Sequence, residues 1–379
     1  IVPFVSLYFH EELGIPMSRV GMFFLVTAIL RAGFQGYAGD LSDRMGRARI
    51  MTAGQGGRAV FVALMALAVH AQLGFWAASG ILAFSYVAGA FFQPVASAAV
   101  ADLVEPGRRV AAYALVRVSH NLGWGVGPML GGLVSEAGYS WLFTVGALTS
   151  AISAWLVWRF FGESHFPEPE TREHRRSHWT DFLEVRNDRT FMLFCGFTLL
   201  IFLTMSQWLA TLPVYASGQL GTTRTQLGLL FGLNGFMVVL LQLPVTRALR
   251  RVSLADSIIL GSLVYAVSFF ALAWAGSFAH LLICLATITV GELIVTPPVT
   301  TLVSLLAPAG YTGRYMGAYG LVSSFGWSVG PFIAGLFLSW WVGRPFILWG
   351  AIASFAVLAV LGLLRTRRLY PSGLGAGRS

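Results

Sequence analysis

Apolar residues run along this chain in long unbroken stretches, at about 1–9, 18–38, 49–71, 75–102, 110–136, 141–161, 190–216, 225–246, 254–276, 279–306, 313–338 and 345–364. A helix needs roughly 20 such residues to cross the hydrocarbon of a bilayer, and barrel strands alternate polar and apolar positions instead. The pattern therefore predicts a polytopic α-helical membrane protein with eleven full spans and part of a twelfth. The stretch at 1–9 is too short to cross at about 1.5 Å per residue, so the rest of that first span is expected to precede Ile1.

The long polar stretch, GESHFPEPETREHRRSHWTDFLEVRNDR at 162–189, separates six spans from six. The predicted organisation is a first half at 1–161, a linker at 162–189, a second half at 190–366 and a tail at 367–379. Trp179, Phe182, Leu183 and Val185, set among charges, suit a short helix lying on the membrane surface. His165, His174 and His178 have no paired ligand spacing, so they are read as solvated and no metal site is expected.

The halves repeat each other. FFQPVASAAVADLVEPGRRVAAYALVRVSHNLGWGVGPMLGGL aligns with IVTPPVTTLVSLLAPAGYTGRYMGAYGLVSSFGWSVGPFIAGL at an offset of 203 residues. Pro94 falls on Pro297, Gly127-Pro128 on Gly330-Pro331 and Gly132 on Gly335. Parallel six-span repeats mark transporters whose halves rock about a site near the bilayer midplane.

Composition supports this reading: 56% of residues are hydrophobic and 11% charged, against about 25% charged in soluble domains. The net charge of +9 comes from 25 Arg with no Lys. Nineteen Arg lie on the side that holds the linker, three (Arg19, Arg224 and Arg344) on the other, and Arg31, Arg58 and Arg117 fall inside spans. Positive charge concentrates on cytoplasmic loops, so both ends are expected in the cytoplasm, with a cell-membrane location and no nucleic-acid partner. Cys195 and Cys284 lie in apolar runs and read as core residues.

After the second span comes Gly39-Asp40-Leu41-Ser42-Asp43-Arg44-Met45-Gly46-Arg47-Ala48-Arg49. It matches the G-x-x-x-D-R-x-G-R loop of the major facilitator superfamily, and over essentially its whole length the chain resembles that family. The resemblance implies two pseudo-symmetric six-helix halves. It also implies a gating loop formed by Gly39, Asp43, Arg44, Gly46, Arg47 and Arg49, engaging Asp102 and Arg109 at the inner end of span four. In span five Gly123, Gly127, Pro128, Gly131 and Gly132 resemble the G-P-x-x-G-G element of the antiporter branches. The Arg that many drug–proton exporters carry in span four is absent from Leu82–Gly89.

Glu292 sits near the centre of span ten, and an ionisable group at that depth is a functional candidate by default. Burial of a carboxyl without a cation favours its protonated form, which suits reversible proton binding, so Glu292 is the first choice for coupling; the alternative is a structural acid. Arg117, His120, Asn121 and Trp124 share one side of span five. Arg31, Gln35, Gln207 and Asn234 are the other polar residues proposed for the cavity, where each competes with a plain helix–helix contact.

The function expected from sequence is a monomeric secondary transporter working by alternating access, exporting small amphipathic or drug-like molecules against protons. Import of a sugar, peptide or organic acid by the same fold is the alternative. The ion gradient is its energy source and no cofactor is expected. No nucleophile or metal constellation appears in the spans and no Walker sequence exists, so it is not expected to be an enzyme or an ATP-driven pump.

Overall fold

The computed structural model describes residues 2–105, 108–161, 185–308 and 311–371; the side chains of Asp43, Arg109 and Arg117 lie outside that description, as does most of the linker. Its described residues form fourteen α-helices and no strand. In the first half these are α1 (Val2–Leu7), α2 (Met17–Met45), α3 (Arg47–His70), α4 (Phe75–Ala90), α5 (Phe92–Leu103), α6 (Arg109–Glu136) and α7 (Tyr139–Phe160). The second half holds α8 (Arg189–Met205), α9 (Gln207–Leu220), α10 (Arg224–Ala248), α11 (Leu254–Ala271), α12 (Phe278–Leu306), α13 (Thr312–Trp341) and α14 (Pro345–Thr366). In ten places the described helix is long and apolar enough to cross a membrane. Helix α6, at 28 residues, is as long but carries Ser119, His120 and Asn121 in its middle.

Two predicted spans are broken. Span four divides at Phe91 into α4 and α5, because Pro94 has no N–H for the Ala90 carbonyl and its ring crowds that oxygen. Span seven divides at Ser206, where the Ser206 hydroxyl (2.9 Å) and the Gln207 amide (3.0 Å) both donate to the Leu203 carbonyl.

The predicted loop at 39–49 is instead largely helix. Helix α2 runs on to Met45, and Gly46 alone makes the turn, with φ +96°, a conformation that an L side chain rarely adopts. Arg31 is fourteen residues from either end of α2 but toward the inner end of its apolar part, Met17–Gln35.

The helix ends near Gly46, Leu103, Phe160, Arg189 and Ala248 form the arginine-rich end of the bundle. The halves meet at the opposite end along two seams, α6 against α10 and α2 against α13. Lipid tails offer helices no hydrophobic drive to associate, so close van der Waals packing must hold such seams, and glycine permits it. A Cβ built on Gly132 would stand 2.5 Å from the Arg224 carbonyl oxygen and 3.0 Å from Gly228 Cα. At the other seam, one on Gly21 would lie 2.9 Å from the Pro331 carbonyl oxygen, and one on Gly335 would overlap the Met17 carbonyl. Gly132 and Gly335 are repeat equivalents, so the two seams are copies of one design.

Polar contacts tie the same end. Arg224 pairs with Glu12 (2.9 Å), donates to the Ser135 carbonyl (2.9 Å) and stacks over Tyr139, 4.1 Å from the ring centre. The Thr225 amide donates to Glu136 (3.0 Å) and that of Ser18 to Ser339 (3.2 Å). A cleft of about 50 Å³ lies among Ser6, Met17, Gly21, Leu209 and Pro331. Nearer the arginine-rich end the same helices carry exposed apolar residues, among them Ile29, Phe34, Leu115, Leu240, Leu243 and Phe325. The described contacts between the halves thus seal the bundle opposite the arginines.

Candidate functional site

Glu292 is the central residue of α12, fourteen residues from Phe278 and from Leu306. The amide of Asn234, on α10, donates to Glu292 Oε2 at 2.9 Å and also reaches Thr289 Oγ1 at 3.0 Å. Thr289 stands three residues before Glu292, on the same helix face. From α11 comes Tyr265, whose hydroxyl is buried without a hydrogen-bond partner among the described residues and lies within electrostatic range of Glu292. The cluster joins α10, α11 and α12 around one carboxylate.

Asn234 adjoins Gly235, where a Cβ would overlap Gly125 Cα on α6, so Glu292 lies level with the point where α6 and α10 cross. The polar stripe of α6 begins at that level. Trp124 is 36% exposed, His120 is exposed with its ring centre 6.4 Å from that of Trp124, and Asn121 is half-buried. Arg117 continues the stripe toward the arginine-rich end, but its side chain is outside the described residues. Two sequence candidates, Asn234 and Glu292, are therefore bonded together, and the crossing at Gly125 and Gly235 sets the α6 group at the same level.

Other candidates stand apart. Gln207 is fully buried; its amide donates to the carbonyls of Leu203 (3.0 Å) and Gly330 (3.1 Å) and its oxygen accepts from Thr211 (2.6 Å). That is the helix–helix contact the sequence left open for it. Gln35 is half-buried and Arg31 exposed, both on α2. In the span-five element, Gly132 packs on α10, Gly131 would bring a Cβ to 3.2 Å from the Phe4 ring, and Gly123 and Gly127 face open space. Gly125, which the spacing passed over, is the one at the crossing.

At the arginine-rich end Arg47 is 7% exposed and meets Asp102 at 3.0 Å and the Ser42 hydroxyl at 2.5 Å. The 39–49 segment is thereby fastened to the end of α5. Arg44 and Arg49 are exposed, while the side chains of Asp43 and Arg109 lie outside the described residues. A cavity of about 510 Å³ opens at this end among Arg251, Ser253, Asp256, Arg367 and Tyr370, at the helix termini and away from Glu292.

Comparison with known proteins bears on the family and the fold. The model of the Major Facilitator Superfamily matches residues 1–331 and 210–378. The chain is 26% identical over 369 residues to the uncharacterized MFS-type transporter YttB of Bacillus subtilis, covering 96% of this chain and 89% of that one. It is 24% identical to a Na(+), Li(+), K(+)/H(+) antiporter of Planococcus maritimus, over 98% of this chain and 92% of that one. It is also 24% identical to the multidrug resistance protein MdtH of Edwardsiella ictaluri, over 98% and 89%. Among solved structures, a peptide transporter POT in complex with alafosfalin superposes with a TM-score of 0.79 at 16% identity, over 99% of this chain and 92% of that one. The nucleoside transporter NupG does so at 0.72 and 13%, over 96% and 94%; at such identities these likenesses speak to the fold. The chain belongs to the Major Facilitator Superfamily, a multi-pass membrane transporter and not an enzyme.

Proposed function

We propose that this transporter is a proton-coupled antiporter that moves small amphipathic molecules out of the cell. The observation that carries the reading is Glu292: a carboxylate at the middle of a 29-residue membrane helix, held by Asn234 beside the polar stripe of α6. A group in that position can hold a proton in one access state and release it in the other. Relatives named as a multidrug resistance protein and as a cation/proton antiporter support exchange. The likeness to peptide and nucleoside transporters rests on fold alone and does not favour import.

In this reading the arginine-rich end, both termini included, faces the cytoplasm of a cell membrane. The two seams then close the outer end, and transport requires them to part while the arginine-rich end closes. Arg47 and Asp102 act in gating that end, together with Asp43, Arg44 and Arg109. The proton gradient supplies the energy without a cofactor, and one chain suffices.

The test is flux in proteoliposomes with an imposed pH gradient, against a panel of amphipathic anions, zwitterions and cations. One pH unit is worth about 1.4 kcal/mol per proton, enough for about tenfold substrate accumulation in a one-for-one electroneutral exchange. Uphill movement that collapses with a protonophore is expected. Flux that only follows the substrate gradient would replace the antiporter with a facilitator.

A further inference from the structure

Resting on the transporter reading, we propose that Arg31, Arg58 and Tyr86, where α2, α3 and α4 meet, form an oxyanion subsite that takes the carboxylate or phosphate of an amphipathic substrate.

Three observations converge. Arg58 lies eleven residues into the 24-residue α3, at mid-membrane depth, and Arg31 lies in the apolar part of α2, Met17–Gln35, toward its inner end. Ionisable side chains persist at that depth by facing a cavity or a partner. Arg31 and Arg58 are within electrostatic range of each other and of the Tyr86 hydroxyl, yet among the described residues neither Arg has an ion pair or hydrogen bond. That hydroxyl is itself buried without a partner. Two cations and an unused donor in one place fit an oxyanion.

The repeat gives the second observation. Gly89 is the equivalent of Glu292 at the offset of 203 residues. The Arg58 side chain lies across it: a Cβ there would meet Arg58 Cδ at 3.4 Å and Nη1 at 3.5 Å. Gly54 and Gly261 are also equivalents, since Gly54 packs on Ala88 and Phe91 while Gly261 packs on Gly291 and Ile294. Four residues after each stand Arg58 and Tyr265. Where the second half sets Tyr265 beside a carboxylate, the first half sets Arg58 over a glycine. The two halves present opposite charges at matching positions.

Third, Arg31 is exposed, so the cluster is reachable. Phospholipid phosphates ride at the headgroup level, about 15 Å from the midplane, which favours a substrate over a lipid as the source of the oxyanion.

The test is equilibrium binding to the purified full-length protein, without a gradient, of 1-naphthoate, 1-naphthyl phosphate, neutral 1-naphthamide and cationic 1-naphthylmethylammonium. The two anions are expected to bind at least tenfold tighter than the amide, and the ammonium more weakly than either. Arg58→Gln and Arg31→Gln should each lower anion affinity about tenfold or more and leave amide affinity unchanged, while Arg58→Lys retains part of the preference. Should Arg58→Gln fail to fold, the exposed Arg31→Gln carries the test. Equal binding of amide and anion, or an anion preference that survives both replacements, would overturn the subsite. Long-chain phosphatidate in nanodiscs, whose acyl chains hold its phosphate at the headgroup level, should leave 1-naphthoate affinity as it is in phosphatidylcholine nanodiscs, and competition by it would reassign the site to lipid and overturn the substrate role. An anion preference found without proton-driven flux removes the antiporter reading and leaves the subsite standing; proton-driven flux of a cation without an anion preference does the reverse.

Discussion

Replacing Gly132 by Ala adds one methyl group to the α6–α10 seam. That carbon would stand 2.5 Å from the Arg224 carbonyl oxygen, 3.2 Å from its carbon and 3.0 Å from Gly228 Cα, all backbone atoms that no rotamer change can move aside. To restore an ordinary contact of 3.4 Å the helices must part by about 0.9 Å, loosening the packing that holds this end shut. Overpacking of this kind costs about 1–3 kcal/mol. Alanine is also favoured over glycine in a helix by about 1 kcal/mol, but that gain is common to both access states and cancels between them. The net effect is a shift of roughly 5- to 150-fold toward the state in which this end is open.

Spin labels at Ala71→Cys and Gly276→Cys, exposed residues at the sealed end of each half, would report it by electron–electron distance measurement in a background free of Cys195 and Cys284. The longer-distance population should grow in Gly132→Ala and stay at its wild-type level in Gly127→Ala and Gly123→Ala, where a Cβ meets nothing within 4 Å. Identical distance distributions in folded Gly132→Ala and wild type would refute the claim that the seam closes this end.

Three further outcomes follow from the same geometry. Asn234→Leu removes the 2.9 Å donor from Glu292, a charge-assisted bond worth about 1.5–3 kcal/mol, and should slow pH-driven flux tenfold or more; an unaltered rate would make that bond incidental. Arg47→Ala strips Asp102 of its 3.0 Å partner at a buried position, so it should cut turnover while substrate Kd stays within twofold, and loss of affinity instead would argue against a gating role. Arg224→Ala loses a ring contact worth about 0.5–1 kcal/mol and a partly exposed ion pair worth about 1 kcal/mol at most, and should open the sealed end by up to about thirtyfold in the same distance measurement.

The fold was legible because lipid imposes a length on every helix and because the repeat at 203 residues announced two similar halves. Glu292 and Asn234 stood out as polar residues where apolar ones are the rule, and the structure bonds them to each other. What the sequence could not supply was the direction each side chain takes. In Gly123-Trp124-Gly125-Val126-Gly127 the four-residue spacing drew attention to the outer glycines, yet the helix turns Gly125 toward α10 and leaves the others in open space. Gln207 looked like a cavity residue until the break at Ser206 gave its amide four partners. Arg58 could be recognised as intramembrane, but only the packing of α3 on α4 places it over Gly89. The 39–49 motif read as a loop takes another shape, because its polar residues continue α2 and a single glycine makes the turn.

Glu292→Gln beside wild type, reconstituted in the same proteoliposomes, tests the coupling carboxylate most directly. Two modes are measured on each: accumulation driven by a pH gradient, and exchange of labelled for unlabelled substrate with no gradient. Loss of accumulation with exchange retained is the expected result, since the amide keeps the shape of the carboxyl but cannot carry a proton. Gradient-driven accumulation in Glu292→Gln at the wild-type level would contradict it and return Glu292 to a structural role.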